Sequence, residues 1–342
     1  MFTLFSKTPK TIQINGNDTF IAAPKETILK ASLNNGINFP YSCKVGGCAA
    51  CKCQLVKGKV KQLTDAGYIL SGEDLQNNYI LACQSIPKSD IVINVDLSSA
   101  AARQISGKVK AQKKLTHDIT QLDIQLDEEI RFKSGQYARL TLKNLSNVSR
   151  PYSFASKPQS DPSIIRFFIR EVVGGTLSTV VNQKNIIDEN VIIEGPVGDF
   201  YLRESSAPLL LVAGGSGLAP VLALLQEALS LGADRPVTLL FGARTQEDLY
   251  CIDEIDEISR QWKAPFTFTQ VLSDEPGNSN WSGPRGWVGD EITRLAQPDW
   301  QAYLCGPPAM IDLGVEQLVS KGVDEKNIFA DRFISEHQSQ TK

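Results

Sequence analysis

Residues 43–51 read Cys-Lys-Val-Gly-Gly-Cys-Ala-Ala-Cys, and a further cysteine stands at position 83. The positions of Cys43, Cys48, Cys51 and Cys83 give the spacing C-x4-C-x2-C followed by a distant fourth cysteine. This is the ligand pattern of plant-type [2Fe–2S] centres, in which four thiolates hold two irons and two bridging sulfides. Such a centre passes single electrons and performs no bond chemistry on a substrate. The pattern therefore predicts a domain that holds an electron carrier.

Two other uses of these cysteines are less consistent with the sequence. Zinc sites favour paired C-x2-C knuckles, whereas only one such pair occurs here, with no histidine near it. Disulfides need an oxidising compartment, and we find no secretory signal before these cysteines. Zinc is thus the main alternative to iron. Because one cluster needs four ligands, Cys53 is interpreted as a structural cysteine.

Length and composition indicate a multidomain globular protein. The chain has 342 residues, of which 42% are hydrophobic and 21% charged, enough for two or three domains. A net charge of −3 gives no reason to expect nucleic-acid binding. Seven cysteines without a signal peptide predict a cytoplasmic location. The only histidines are His117 and His337, which disfavours a Rieske centre or a haem held by histidines.

One uncharged stretch, residues 205–226, approaches the length of a membrane span. Two prolines and a Gly-Gly-Ser-Gly sequence interrupt it, and helical continuity fails at such residues. A buried strand, a glycine turn and a buried helix fit the stretch better. We therefore predict no transmembrane segment.

Three patterns of organisation follow one another along the chain. Residues 1–97 alternate short β-type runs with turns around one helical segment, and residues 98–104 form a small polar linker. Residues 105–204 contain β-type runs about ten residues apart, which favours an antiparallel barrel. Residues 205–342 alternate strands with helices, which is typical of a doubly wound parallel sheet. The expected fold class is α+β multidomain.

Short motifs mark the middle and last domains. A glycine turn at a helix N-terminus suits a pyrophosphate, and ligands of open α/β sheets bind beyond the carboxyl ends of the strands. The strict G-x-G-x-x-G fingerprint is not met, because Pro220 occupies the last glycine position. Taken singly, each motif is also compatible with an ordinary turn. The motifs are R-P-Y-S at 150–153, G-G-T-L-S at 174–178, G-P-V-G-D-F at 195–200, A-G-G-S-G-L-A-P at 213–220 and C-G-P-P-A-M at 305–310.

In this order, the motifs resemble those of the ferredoxin–NADP⁺ reductase superfamily. With the N-terminal cysteines, the whole chain resembles the ferredoxin–reductase fusions that supply electrons to bacterial oxygenases. The resemblance implies a β-grasp ferredoxin domain, an antiparallel β-barrel flavin domain and a nicotinamide domain. It also implies a [2Fe–2S] cluster, FAD and NADH, with electrons passing in the order NADH, FAD, cluster and protein partner.

The resemblance also implies roles for individual residues. Arg150 would meet the FAD pyrophosphate, Tyr152 would pack on the isoalloxazine ring, and Ser153 would hydrogen-bond near its N5 atom. Cys305 would lie near the nicotinamide C4 atom, as a positioning group and not as a nucleophile. The remaining assignments are phosphate binding by Gly175, Thr176 and Ser178, nicotinamide dinucleotide binding by Gly215, Ser216 and Gly217, and covering of the flavin by Phe333.

The choice between NADH and NADPH depends on two positions that disagree. Arg244, after the second strand of the parallel sheet, is the kind of residue that accommodates a 2′-phosphate. In the superfamily, however, the phosphate is read after the next strand, where this chain has Ser273-Asp274-Glu275. A carboxylate there repels a phosphate and accepts a hydrogen bond from a ribose hydroxyl. We therefore predict NADH, with Asp274 at the ribose.

The expected partner is a terminal oxygenase or hydroxylase with a non-haem iron centre, including the membrane-bound di-iron kind. Lysines 52, 57, 59 and 61 are candidates for docking an acidic partner surface, although such residues are more often merely solvated. Three alternatives share part of the pattern. They are a reductase for iron–sulfur dehydratases of deoxysugar synthesis, a redox-sensing module, and a flavin reductase, which leaves the cysteines unexplained.

One position departs from the family pattern. Many relatives have glycine after the second cysteine ligand, where this chain has Ala49. If the backbone there needs a positive φ, alanine costs about 1 kcal/mol. Such a cost is compatible with cluster binding.

Overall fold

A computed structural model describes residues 8–37, 39–41, 44–47, 49–70, 72–97, 103–158, 161–232 and 234–333. The chain divides into two compact units, one based on residues 1–102 and the other on residues 103–335. The first unit contains one of the three expected folds and the second contains the other two.

The first unit is built on a mixed sheet with the strand order β2-β1-β7-β3-β5, beside a small antiparallel pair of β4 and β6. Helix α1 (Ile28–Asn34) buries Ile28, Leu29 and Ala31 in the core of this unit. This is the expected β-grasp arrangement. The other elements are β1 (Lys10–Ile14), β2 (Asp18–Ala22), β3 (Lys52–Lys57), β4 (Val60–Gln62), α2 (Gly72–Gln76), β5 (Tyr79–Leu81), β6 (Ser85–Pro87) and β7 (Ile91–Asn94).

The second unit begins with a six-stranded antiparallel sheet in the order β11-β10-β13-β8-β9-β12. A bridge between Phe154 and Phe167 joins the two edges, so that the sheet closes as the expected barrel. Its interior is apolar, and α3 (Thr176–Gln183) contributes Leu177 and Val181 to it. The strands are β8 (Arg103–Lys114), β9 (Ile119–Leu126), β10 (Tyr137–Leu142), β11 (Ser149–Ser153), β12 (Ile164–Arg170) and β13 (Asn190–Val197).

A parallel five-stranded sheet completes the second unit, in the order β16-β15-β14-β17-β18. The chain runs outward from β14 to one edge and then crosses to β17, so the topological switch point lies between these two strands. The elements are β14 (Leu209–Gly214), α4 (Leu218–Ser230), β15 (Val237–Ala243), α5 (Ile252–Gln261), β16 (Phe266–Leu272), α6 (Val288–Leu295), β17 (Gln301–Gly306), α7 (Pro308–Ser320) and β18 (Ile328–Arg332).

The uncharged stretch 205–226 forms β14, a glycine turn and the start of α4, as its prolines and glycines predict. Among the described residues, none of the helices combines the length and the apolar character needed to cross a bilayer. Helix α5 begins at Ile252, after a separate short turn, Gln246–Asp248, that opens with a capping box between Thr245 and Asp248.

The domain bounds expected from the sequence stay predictions. Strand β8 begins at Arg103, inside the expected linker 98–104, and residues 98–102 lie outside the described part of the chain. The barrel and the parallel sheet belong to the same compact unit.

Close backbone packing defines the switch point. A Cβ atom added to Gly217 would overlap the carbonyl oxygen of Cys305 and lie 2.9 Å from the nitrogen of Gly306. These obstructing atoms belong to the backbone, so they cannot turn aside as a flexible side chain would. The turn after β14 and the end of β17 therefore approach each other closely only if residue 217 is glycine.

We predict that Gly217→Ala lowers the free energy of unfolding by about 1–3 kcal/mol, because overpacking displaces two backbone segments. The thermal unfolding midpoint measures this effect. Gly277→Ala is the matched control, since a Cβ there meets nothing within 4 Å. Equal midpoints for the parent and Gly217→Ala contradict the packing described above.

Candidate functional site

Two of the four expected cluster ligands lie side by side in the first unit. The pairing of Lys52 with Leu81 aligns β3 with β5, and the backbone N–H of Ala82 donates to the Cys51 carbonyl at 3.0 Å. In the next residue, the N–H of Cys83 donates to Cys51 Sγ at 3.4 Å. Both thiols are buried, and adjacent soft sulfur donors suit an iron–sulfur cluster. Cys43 and Cys48 lie outside the described residues.

The cysteine loop has an unusual backbone. Lys44, Gly46 and Ala49 have φ angles of 60°, 82° and 52°, all in the left-handed region. Position 49 thus has the positive φ for which glycine is best suited, and alanine there costs about 1 kcal/mol or slightly more. The loop keeps this conformation despite the local strain.

The surroundings of Cys53 are those of a core residue. It lies in β3, has no exposed surface and belongs to the apolar core of the first unit. Burial, with a smaller contribution from nearby Cys83, raises the pKa of the Cys53 thiol far above its usual value. A thiol that stays protonated is a poor metal ligand, which supports the structural interpretation.

The expected flavin contacts lie on β11, where Arg150, Tyr152 and Ser153 follow one another. Arg150 Nη1 donates to the Ser149 carbonyl at 2.9 Å. The Tyr152 ring lies 6.3 Å from the Phe167 ring, and burial raises the pKa of its phenol, so the hydroxyl is neutral. Ser153 is buried. The strand thus carries a cation, an aromatic ring and a hydroxyl within four residues.

The N-terminus of α3 is open to an anion. Its N-cap, Gly175, has no side chain, so none caps the first backbone N–H groups. Thr176 is exposed, whereas the buried Ser178 hydroxyl accepts from the Val172 N–H at 3.1 Å and so holds the preceding loop. The site has the free donors that a pyrophosphate needs.

The turn Gly215–Gly217 leads into α4, which is likewise uncapped by a side chain. The Tyr250 hydroxyl donates to the Gly215 carbonyl at 3.0 Å and so holds the turn. Ser216 lies between the two glycines and is partly buried. The three residues lie at the switch point, where a dinucleotide pyrophosphate binds in sheets of this kind.

Cys305 faces this turn from β17. Complete burial raises the pKa of its thiol well above the usual value. The thiol is therefore neutral and unreactive, in agreement with a positioning role. The backbone N–H of Phe333, the residue after β18, donates to the Gly306 carbonyl at 2.9 Å, so the predicted flavin cover lies beside the end of β17.

Asp331 is a member of this site that the motifs did not reveal. It lies opposite Cys305 in the pairing of β17 with β18. Burial raises the pKa of its carboxyl to about 6, against a smaller opposing effect of Arg332. Its position in F-A-D-R-F is visible in the sequence, but its proximity to Cys305 depends on the parallel strand register.

An ion-pair network beside the glycine turn was also missed. Asp118 Oδ2 accepts from Arg170 Nε at 2.8 Å and from Arg244 Nη2 at 3.4 Å. Arg244 also binds Asp248 at 3.0 Å. A Cβ on Gly215 would lie 3.1 Å from Arg170 Nη1, so this guanidinium lies over the turn. Residues far apart in the sequence form this network, and no motif marks it.

Arg244 and Asp274, the two positions that bear on the choice between NADH and NADPH, differ in how far other residues already engage their side chains. Two carboxylates, those of Asp118 and Asp248, engage the guanidinium of Arg244. Asp274 lies just beyond the carboxyl end of β16 with an exposed side chain, and its backbone N–H donates to the Arg244 carbonyl at 2.8 Å. Glu275 instead accepts from Gln246, through its backbone N–H at 2.9 Å and its Nε2 at 2.6 Å. Asp274 therefore presents an exposed carboxylate beside a half-exposed Arg244 that is already paired with two carboxylates.

Three family models match the chain in the expected order. Residues 12–88 match a 2Fe-2S iron-sulfur cluster binding domain, residues 106–201 an oxidoreductase FAD-binding domain, and residues 211–315 an oxidoreductase NAD-binding domain. The cofactors implied by the motifs, a [2Fe–2S] cluster, FAD and NAD, are thereby confirmed.

Curated relatives cover nearly the whole chain. The xylene/toluene monooxygenase electron transfer component of Pseudomonas putida is 40% identical over 97% of this chain and 96% of its own length. The reductase component of the naphthalene 1,2-dioxygenase system of the same species is 35% identical over 90% of this chain and 93% of its own. The resemblance of the motifs to the electron-transfer component of xylene monooxygenase is confirmed.

Solved structures agree with this result. A ferredoxin reductase of carbazole 1,9a-dioxygenase is 28% identical, with a TM-score of 0.69, over 96% of this chain and 99% of its own. A cytochrome P450 reductase from Amycolatopsis is also 28% identical, with a TM-score of 0.70, over 95% and 98%.

We predict that Asp331→Asn gains stability relative to the parent as the pH rises from 4.5 to 8. A folded pKa of about 6 lies above the ordinary 3.8, so ionising Asp331 costs stability. That cost is absent below about pH 4 and complete above about pH 6, reaching at most about 3 kcal/mol. The measurement is the difference in unfolding midpoint between variant and parent at each pH.

Asp324→Asn is the control for this experiment. Hydrogen bonds from Lys326 lower the pKa of the Asp324 carboxyl, so its ionised form is favoured in the folded protein. That variant should gain nothing at pH 8. A difference between Asp331→Asn and the parent that does not change with pH contradicts the raised pKa.

Proposed function

Since this chain belongs to the family of oxygenase-system reductases that join a [2Fe–2S] ferredoxin domain to FAD-binding and NAD-binding domains, we propose that it carries electrons from NADH to a terminal oxygenase. The observation that carries the proposal is that the first unit has features of a cluster site and the second has features of two dinucleotide sites. One unit brings Cys51 and Cys83 together, and the other presents two uncapped helix N-termini behind glycine turns. When bound, FAD would accept a hydride from NADH, and the [2Fe–2S] cluster would pass electrons onward one at a time.

The residues of the chain bind and orient the cofactors. We assign the four cluster ligands as Cys43, Cys48, Cys51 and Cys83. Arg150, Gly175, Thr176 and Ser178 bind the FAD diphosphate, while Tyr152 and Ser153 contact its ring. The turn Gly215, Ser216 and Gly217 binds the NADH pyrophosphate, because its N–H groups and the helix dipole favour an anion.

Positioning and exclusion of water are the tasks of the residues around the nicotinamide. The neutral thiol of Cys305 occupies the end of β17 and offers no charge that competes with the reaction. Phe333 covers the flavin from the strand that follows. Both residues belong to or pack against the apolar core of the second unit, which supports a dry site for hydride transfer.

The partner is proposed from the relatives. Their names describe components of monooxygenase and dioxygenase systems, and a terminal oxygenase is therefore the expected acceptor. We propose that it has a non-haem iron centre, with membrane-bound di-iron oxygenases included. Of the candidate docking lysines, Lys52 binds Asp74 at 3.0 Å and lies over the Tyr79 ring, which leaves the exposed Lys57 and Lys59 as better candidates than Lys52.

We propose a cytoplasmic location and three domains. Cys53, Cys251 and Cys305 are free thiols, which supports a reducing compartment. The proposed domains are residues 1–97 for the cluster, 98–104 for the linker, 105–204 for FAD and 205–342 for NADH.

The order of electron transfer is tested by Cys83→Ser. We expect this variant to lose cluster iron and at least about 90% of its electron delivery to a protein acceptor, while NADH oxidation by a small dye persists, because the dye takes electrons from the flavin. Measurements are iron content, dye reduction and transfer to a [2Fe–2S] ferredoxin or the purified oxygenase. Cys53→Ser is the control and should keep its iron. Unimpaired delivery by a cluster-free variant overturns the proposed order.

The choice of nucleotide is tested by Asp274→Arg. Replacing an exposed carboxylate by a guanidinium should raise the ratio of kcat/KM for NADPH to that for NADH by about tenfold or more, because repulsion of the 2′-phosphate is removed. Asp234→Arg makes the same change of charge before β15, at the opposite edge of the sheet, and should leave the ratio unchanged. A parent enzyme that prefers NADPH contradicts the assignment.

A further inference from the structure

The side chain that follows the last cluster ligand contacts both ends of the cluster site. Gln84 Nε2 lies 3.7 Å from Cys83 Sγ and 3.3 Å from the Lys44 carbonyl oxygen. An amide nitrogen has two N–H donors, and a sulfur and a carbonyl oxygen are both acceptors. The two hydrogens thus have two acceptors, whereas a flipped amide would direct its oxygen at two lone-pair groups. The contacts therefore define which end of the amide faces the site.

The backbone of Gln84 is held on both sides. The residue ends a single helical turn between β5 and β6, and its carbonyl accepts from the Leu63 N–H at 2.8 Å. The next residue, Ser85, pairs with Gln62 in β4, and the preceding N–H, that of Cys83, binds Cys51 Sγ. Its Cα is thus fixed between paired strands, and the two contacts of Nε2 hold the amide against the loop.

The cysteine loop is shaped to receive this side chain. A Cβ on Gly46 would lie 2.7 Å from Gln84 Cγ and 3.2 Å from Thr64 Oγ1, and Gly46 has a φ of 82°. Glycine is thus required both for the backbone conformation and for the space that Gln84 occupies. Gly46 therefore provides the space that the Gln84 side chain fills.

We infer that Gln84 is a positioning residue that clamps the Cys83 sulfur to the cysteine loop and raises the reduction potential of the cluster. This inference rests on the proposed function, because it takes Cys83 as a ligand. Reduction adds one electron to the iron–sulfur unit, and part of that charge resides on the thiolates. An N–H dipole directed at Sγ stabilises the more negative reduced state more than the oxidised state.

The effect is accessible to mutation because the donor is a side chain. Cys51 Sγ receives its hydrogen bond from the main chain, and no substitution that keeps the fold removes that donor. Cys83 Sγ receives one from Gln84 Nε2. Changing residue 84 therefore alters the hydrogen bonding of one ligand while all four thiolates remain.

The test uses the holoenzyme with Gln84→Leu and Gln84→Glu, and redox titration followed by electron paramagnetic resonance. Leucine removes both donors, and glutamate removes them in the same shape while adding a negative charge. We expect the cluster potential to become more negative in Gln84→Leu and more negative still in Gln84→Glu at pH 8, with altered g values in both. Gln54→Leu is the matched control, since Gln54 Nε2 donates to the Asn77 carbonyl at 3.1 Å and not to sulfur; its potential should equal that of the parent.

The outcomes separate positioning from packing. A purely structural role lowers the iron content but leaves unchanged the potential and g values of the clusters that remain, and this result overturns the inference. If Gln84→Leu binds no cluster, Gln84→Glu decides by the same measurement. Parent-like potentials in both variants also overturn it. A parent protein with no cluster signal after reduction contradicts the proposed function itself, and with it this inference.

Discussion

The register between β3 and β5 is the constraint on which the electron-transfer site depends. With Lys52 opposite Leu81, the chain emerges from both strands so that the Cys83 N–H reaches Cys51 Sγ. Changing a strand register by one residue reverses the face to which each side chain points. Such a shift would send one thiol to the other face and remove the ligand pair. The buried core of the first unit, which includes Cys53, sets this register.

Backbone groups are prominent in the two proposed dinucleotide sites. Helices α3 and α4 both begin after glycine without a side-chain cap, and unsatisfied N–H groups with the helix dipole favour a pyrophosphate. Gly217 serves a second purpose, because it lets the turn lie against the Cys305 backbone. The same residue thereby shapes both the proposed phosphate site and its close approach to the end of β17.

Carboxylates pair with the guanidinium groups that lie beside the glycine turn after β14. Arg170 and Arg244 share Asp118, and Arg244 also binds Asp248, so these guanidinium groups have carboxylate partners beside the glycine turn. Burial favours the neutral form of Cys305 and raises the pKa of Asp331. The Cys305 thiol therefore adds no charge at the end of β17, while Asp274 presents an exposed carboxylate beyond the end of β16. This distribution favours a nucleotide without a 2′-phosphate.

The sequence by itself determined the three folds and their cofactors, because ligand spacing, glycine turns and strand–helix alternation are local features. Helix α6 and the strand–turn–helix at 209–230 follow their patterns closely. Only the tertiary structure decided that Asp331 lies beside Cys305, that Arg244 is engaged by Asp118, and that Gln84 reaches Lys44. Each of these contacts joins segments that are distant in the chain or depends on strand pairing. No local sequence pattern encodes such contacts.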